Sequence, residues 1–134
     1  SQRILSQTLQ EEDIAIPAWE NPTNVDREDL SVIHHIWDEI RSIMWNYVGI
    51  VRSQKRLDRA MQRLNYLNSE VYEYYWDKKI TNDILELRNL ALVAKLSVIS
   101  TLKRRESRGC HYNLDYPKQD ERYLKNTILN PNYR

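Results

Sequence analysis

Glycine is nearly missing from this chain: among 134 residues only Gly49 and Gly109 occur. Glycine-rich phosphate loops need several backbone positions without a Cβ, so neither a Gly-x-Gly-x-x-Gly turn nor a P-loop can be written here. Proline is confined to the two ends, at Pro17, Pro22, Pro117 and Pro131. Between Pro22 and Gly109 the one residue that weakens a helix is Gly49. A lone cysteine, Cys110, excludes an internal disulfide framework and fits a reducing, cytoplasmic setting. No apolar run approaches the roughly 18–20 residues that span a bilayer, and no secretory leader pattern is present. With a net charge of +1, the chain has no overall field to draw nucleic acid or an anionic membrane. It opens on Ser1 without an initiator methionine, as a processed or excised piece would.

What is present is helical periodicity. Asn24 or Asp26 can cap a first helix, with Glu28 and Asp29 in the favoured first turn. Ile33, Ile36, Trp37, Ile40, Ile43, Met44 and Tyr47 mark its buried face, and a break is expected at Gly49. The second helix is expected from Val51 to Trp76, with Leu57, Met61 (with Ala60), Leu64, Leu67 (with Asn68), Val71 and Tyr74 (with Tyr75) keeping a near-heptad rhythm. Thr81 or Asn82 can cap the third, with Glu86 close to a capping box. That helix is expected from Asp83 to Arg108. Its apolar residues fall into two stripes, Ile84, Leu87, Ala91, Ala94 and Val98 on one and Leu85, Leu92, Leu96, Ile99 and Leu102 on the other, so it should be buried on more than one side. Gly109 stands where a left-handed residue closes a helix. The expected fold is all-α: an N-terminal arm or linker over 1–23, an antiparallel three-helix bundle over 24–109 and an irregular C-terminal tail over 110–134.

The residues at the end of the third helix carry the functional reading. Glu106 would lie at the wrong end of the helix dipole, between Arg105 and Arg108, where a carboxylate needs a cation. A solvated arginine-rich helix end is the plain alternative to a fixed polar junction. Arg52, Arg56, Arg59 and Arg63, with Lys55 alongside, form a basic stripe on the second helix. A solvated face, a docking surface for an acidic protein and a nucleic-acid surface compete for it. The neutral overall charge disfavours the last. His34 and His35 are adjacent, point about 100° apart on a helix and cannot make a two-ligand metal site. Cys110 beside His111 lacks an orienting partner for nucleophilic work, and His111 with Asp115 falls short of a metal site. No catalytic, cofactor-binding or metal residue is assigned.

The segment Arg105-Glu106-Ser107-Arg108-Gly109-Cys110-His111-Tyr112-Asn113-Leu114-Asp115-Tyr116-Pro117 resembles the C-terminal signature of the succinate dehydrogenase/fumarate reductase flavoprotein superfamily, and within it the L-aspartate oxidase branch. The stretch Trp37 to Arg52, Lys55-Arg56-Leu57, Leu85 to Leu90 and Ile128-Leu129-Asn130-Pro131 agree with it in order and spacing. The resemblance implies a non-catalytic helical module that braces the FAD-binding and capping domains of the same polypeptide, with FAD held outside this chain. It implies oxidation of L-aspartate to iminoaspartate by the parent enzyme, in quinolinate and NAD synthesis, with quinolinate synthase as a pathway partner. The equivalent domain of a succinate dehydrogenase or fumarate reductase subunit, and a stand-alone helical interaction module, are the alternatives. On this reading Arg41, Arg52, Arg56, Arg59, Glu106, Arg108 and His111 are junction or docking candidates. Glu106 is expected to pair with Arg52 or Arg41, so that its removal destabilises the bundle. The Ile14-to-Trp19 patch and the apolar third helix would dock on the flavin domain, and the isolated chain would tend to self-associate.

Overall fold

The computed structural model describes residues 27–77 and 80–130. Its elements in chain order are α1 (Arg27–Tyr47), β1 (Val51–Arg52), α2 (Gln54–Asp77), α3 (Asn82–Lys103), β2 (Tyr112–Asn113) and a 3-10 turn over Glu121–Tyr123. The candidate caps Asn24 and Asp26, the arm over 1–23 with its Ile14-to-Trp19 patch, and Pro131 lie outside the described residues.

The three helices form one bundle around a single apolar core. Ile33, Ile36, Ile40 and Ile43 of α1 are buried, and Trp37, Met44 and Tyr47 pack against them, as the periodicity predicts. From α2 come Leu57, Ala60, Leu64, Leu67 and Val71, and from α3 come Ile84, Leu87, Ala91, Ala94 and Val98. Both sets step three and four residues at a time, which holds one face of each helix toward the other. Ala60, Ala91 and Ala94 are small, so α2 and α3 approach closely enough for Asn68 Nδ2 to donate to the Ala91 carbonyl at 3.4 Å as well as to Leu64 at 2.8 Å. Farther along, the Arg88 guanidinium lies 4.7 Å from the Tyr75 ring centre. Residue numbers thus rise along α2 as they fall along α3, the mark of an antiparallel pair.

Thr81 is the N-cap of α3, its Oγ1 accepting from the Ile84 N–H at 3.3 Å. Position N3 is therefore Ile84, and Glu86 lies too far along for the capping-box return bond.

Four local expectations are corrected. α2 begins at Gln54, because Val51 and Arg52 pair in parallel with Tyr112 and Asn113. α3 ends at Lys103, and Arg104 is its extended C-cap, so Glu106 lies beyond the helix dipole rather than on it. Gly109 does not close the helix. It has φ 57° in a two-residue turn whose flanking residues, Arg108 and His111, exchange N–H···O bonds of 2.9 and 3.1 Å. The second stripe of α3 is only partly covered: Leu92 and Leu96 are 52% and 40% exposed, while Leu85, Ile99 and Leu102 are half-buried, Leu102 packing against the core.

Candidate functional site: a buried glutamate at the end of the bundle

Leaving α3 in an extended conformation, the chain turns Arg104, Glu106 and Arg108 toward one side, since alternate residues of an extended segment share a side. Glu106 is fully buried. Its Oε1 accepts from Arg104 Nη1 at 2.8 Å and from Arg108 Nε at 3.2 Å. Its Oε2 accepts from Arg108 Nε at 3.1 Å and from the Asp120 N–H at 3.0 Å. A buried carboxylate is tolerable only when its lone pairs are filled in this way. The Asp120 N–H, above all, holds the Glu106 carboxyl below the usual carboxylate range, with the two arginines adding to it against the opposing effect of burial. Neither Arg52 nor Arg41 is its partner, contrary to expectation. Arg41 stacks on Trp37, 5.4 Å from the ring centre.

Arg104 extends the lock to the tail. Its Nη2 donates to the carbonyls of Tyr123 at 2.9 Å and Lys125 at 2.6 Å. Arg108 reaches Glu121 more loosely, with Nη2 3.6 Å from Oε1. Asp120 caps the 3-10 turn through Arg122 N–H, and its carboxyl is held low chiefly by the Arg122 side chain.

Arg52 contacts His111 instead. Its Nε donates to the carbonyls of Gly49 and Val48, and its Nη1 lies 2.6 Å from His111 Nδ1. Arginine only donates, so Nδ1 must accept; the imidazole is neutral and carries its proton on Nε2, which donates to the Arg104 carbonyl at 3.0 Å. That bond satisfies the carbonyl at the α3 C-cap. Burial first, and the nearby Arg52 and Arg104 charges, pull His111 below its usual pKa.

A second layer closes the corner. Ser107 Oγ accepts from the Asn113 N–H at 2.9 Å and donates to the Tyr116 carbonyl at 2.8 Å. The buried Asn113 accepts from the Asp115 N–H through Oδ1. Asp115 Oδ2 then accepts from the Gln54 N–H at 2.6 Å, setting an anion at the N-terminus of α2. Ser107, Asn113, Asp115 and Arg104 were not among the candidates. The Asn-x-Asp spacing at 113–115 is an Asx-turn signal that points to two of them.

The basic stripe is partly used inside the fold. Arg56 Nη2 donates to the Asn46 carbonyl and Arg63 lies over the Tyr47 ring at 5.5 Å, yet Arg56, Arg59 and Arg63 are all exposed. Cys110 is exposed on the turn, and His34 and His35 are exposed on α1. Among the described residues no group of three potential ligands could hold a metal, and no helix is long and apolar enough to cross a membrane. The two glycines lie in the break after α1 and in the Arg108–His111 turn, so neither sits in a glycine-rich phosphate loop. This corner is equipped to fix backbone geometry, joining the α3 end, the α2 start and the tail.

Residues 37–134 match the family model described as fumarate reductase flavoprotein C-term. The chain is 48% identical over 116 residues to the L-aspartate oxidase of Acinetobacter baylyi, covering 87% of this chain and 21% of that protein. It is 52% identical over 103 residues to the L-aspartate oxidase of Pseudomonas aeruginosa, covering 77% and 19%. A tobacco protein named L-aspartate oxidase 2-a, chloroplastic, is 43% identical over 101 residues, 72% of this chain and 16% of that protein. The chain spans about a fifth of the length of the bacterial relatives it matches. Since the matched region holds α2, α3 and the whole Glu106 corner, the chain belongs to the fumarate reductase flavoprotein C-terminal family.

Proposed function

We propose that this chain is the C-terminal helical module of an FAD-dependent L-aspartate oxidase, and that it braces the flavin domain without taking part in the chemistry. The observation that carries this reading is the Glu106 corner in a chain that matches proteins of that name over most of its own length. The corner locks backbone and offers no nucleophile with an orienting partner. The parent would oxidise L-aspartate to iminoaspartate on FAD held elsewhere in the polypeptide, for quinolinate and NAD synthesis, with quinolinate synthase downstream. A cytoplasmic setting goes with it, the single cysteine being its support. The exposed α3 stripe, Leu92, Val93 and Leu96, supports a docking role, as unpartnered apolar surface usually marks a contact.

The test is complementation. A parent enzyme truncated before this module is loaded with FAD, and aspartate-dependent fumarate reduction is followed with and without this chain. Binding with restored turnover supports bracing. A truncated enzyme that is stable, fully active and indifferent to the chain would overturn it. Flavin reduction by succinate and not by aspartate in the full-length parent would assign the module to the dehydrogenase branch instead.

A further inference from the structure

The β1–β2 pair has two unlike edges and two unlike faces. Tyr112 N–H donates to the Ile50 carbonyl at 3.2 Å and Leu114 N–H to the Arg52 carbonyl at 2.9 Å. Alternate residues of a strand face the same neighbour, so Val51, lying between them, aims its N–H and C=O away from β2. On the far side of β2 the corresponding residue, Asn113, is closed internally. Its N–H meets Ser107 Oγ, and its carbonyl accepts from the Tyr116 N–H at 3.1 Å and Ser107 Oγ at 3.3 Å. Val51 has no such partner among the described residues. One edge is finished; the other is open.

The faces differ in the same way. Arg52 and Asn113 are register partners that turn inward, half-buried and buried. Val51 and Tyr112 are partners that turn outward, 48% and 42% exposed, flanked along the chain by the exposed Ile50 and Leu114. Trp45, 85% exposed, stands at the adjoining end of α1. Parallel sheet is found almost only with both faces covered, and here one face is bare and apolar.

We infer that the outer face of Val51 and Tyr112, with the open edge of β1, is a docking surface for an apolar segment of the remaining four-fifths of the parent polypeptide. This rests on the module reading above and goes beyond it, because it assigns a second contact area distinct from the α3 stripe. The length of polypeptide outside this chain supplies the occupant: the bacterial relatives are about five times as long as the part matched here. An extended apolar segment would add to the β1 edge through Val51 and cover the Val51–Tyr112 face with its side chains, the mode by which strands add to open edges.

The experiment titrates the truncated parent with this chain and with a Val51→Lys/Tyr112→Lys double variant, and follows amide exchange in the wild-type complex. Both side chains are exposed, so the variant's own melting curve should match wild type. Affinity is expected to fall about tenfold or more. The Val51 amide of the wild-type chain is expected to exchange at least about tenfold more slowly in the complex. Should wild-type chain fail to bind the truncated parent at all, the module reading falls and this inference with it. Tight binding of wild type together with undiminished binding of the variant and unchanged Val51 exchange would overturn the docking face alone. Loss of self-association in the variant with parent binding intact would also overturn it, assigning the face to contacts between copies.

Discussion

The bundle core and the Glu106 corner are held by different physics. Among the described residues fifteen buried apolar side chains fill the core, and what each contributes is volume and area removed from water. Any side chain of similar size and polarity does nearly as well there. In the corner three buried polar residues, Glu106, Ser107 and Asn113, are fixed by directed bonds to named atoms. There even an isosteric change removes a donor or an acceptor that nothing replaces. Tolerance to shape-conserving substitution is thus the property that separates the two regions.

The largest effect is expected in the core. Leu64 is fully buried, and Leu64→Ala should cost about 3 kcal/mol by lost transfer energy and the cavity left behind. Leu64→Met keeps the volume and should cost less than about 1.5 kcal/mol. Chemical denaturation of the two variants checks the contrast; a methionine variant as damaged as the alanine one would remove the distinction.

The corner should show the reverse pattern. Glu106→Gln conserves shape but sets an NH2 group against either the Asp120 N–H or the two guanidinium groups, donor facing donor. A fall in Tm of roughly 5–10 °C is expected for a domain of this size. An unchanged melting curve would mean that the corner is decoration on a bundle that stands without it.

This contrast also explains what could be read in advance. The core positions on all three helices were legible, because burial at steps of three and four leaves a pattern in any window of sequence. The Gly49 break and the Thr81 cap were legible for local reasons too. The α3 terminus was not. Arg104, Arg105, Glu106 and Arg108 are all good helix formers, and Gly109 stands where a helix stop is expected. What ends the helix at Lys103 is tertiary: the buried Glu106 and its ring of donors. A helical reading then misdirects the search for its partner, since residues two apart do not face each other on a helix and Arg104 and Arg108 drop out. In the extended chain that spacing brings them together. β1 was invisible for a related reason, as its partner strand lies some sixty residues away and each is only two residues long.

Acid offers a weaker lever on the same region. Glu106 has a folded pKa below its unfolded value, so its contribution is present above about pH 4.5 and is lost as pH falls through the folded value. His111 is also depressed below 6.5 when folded. Protonation is therefore resisted by the folded state and accepted by the unfolded one, and stability declines as pH falls from 6.5 toward the folded value. Tm measured from pH 8 down to about pH 2 should fall in two stages, the upper absent in His111→Gln and the lower, below pH 4.5, absent in Glu106→Gln. A profile unaltered in both variants would show that neither group is coupled to folding.

The smallest effect sharpens the assignment of Gly109. A Cβ added there meets no atom within 4 Å, so space is not what glycine supplies; the positive φ of 57° is. Gly109→Ala should cost about 1 kcal/mol from that conformation alone, and Gly109→Asn less, since asparagine enters the left-handed region more readily. Were Gly109 a helix cap, the strain would be felt at the end of α3. Placed in the Arg108–His111 turn, it should be felt at His111, whose bonds to Arg52 and the Arg104 carbonyl depend on that turn holding its shape. His111 titration followed by NMR separates these: a pKa moving back toward 6.5 in Gly109→Ala, with α3 amides unchanged, is the expected result. The opposite pattern would return the glycine to the helix and make the turn a consequence of the corner rather than one of its supports.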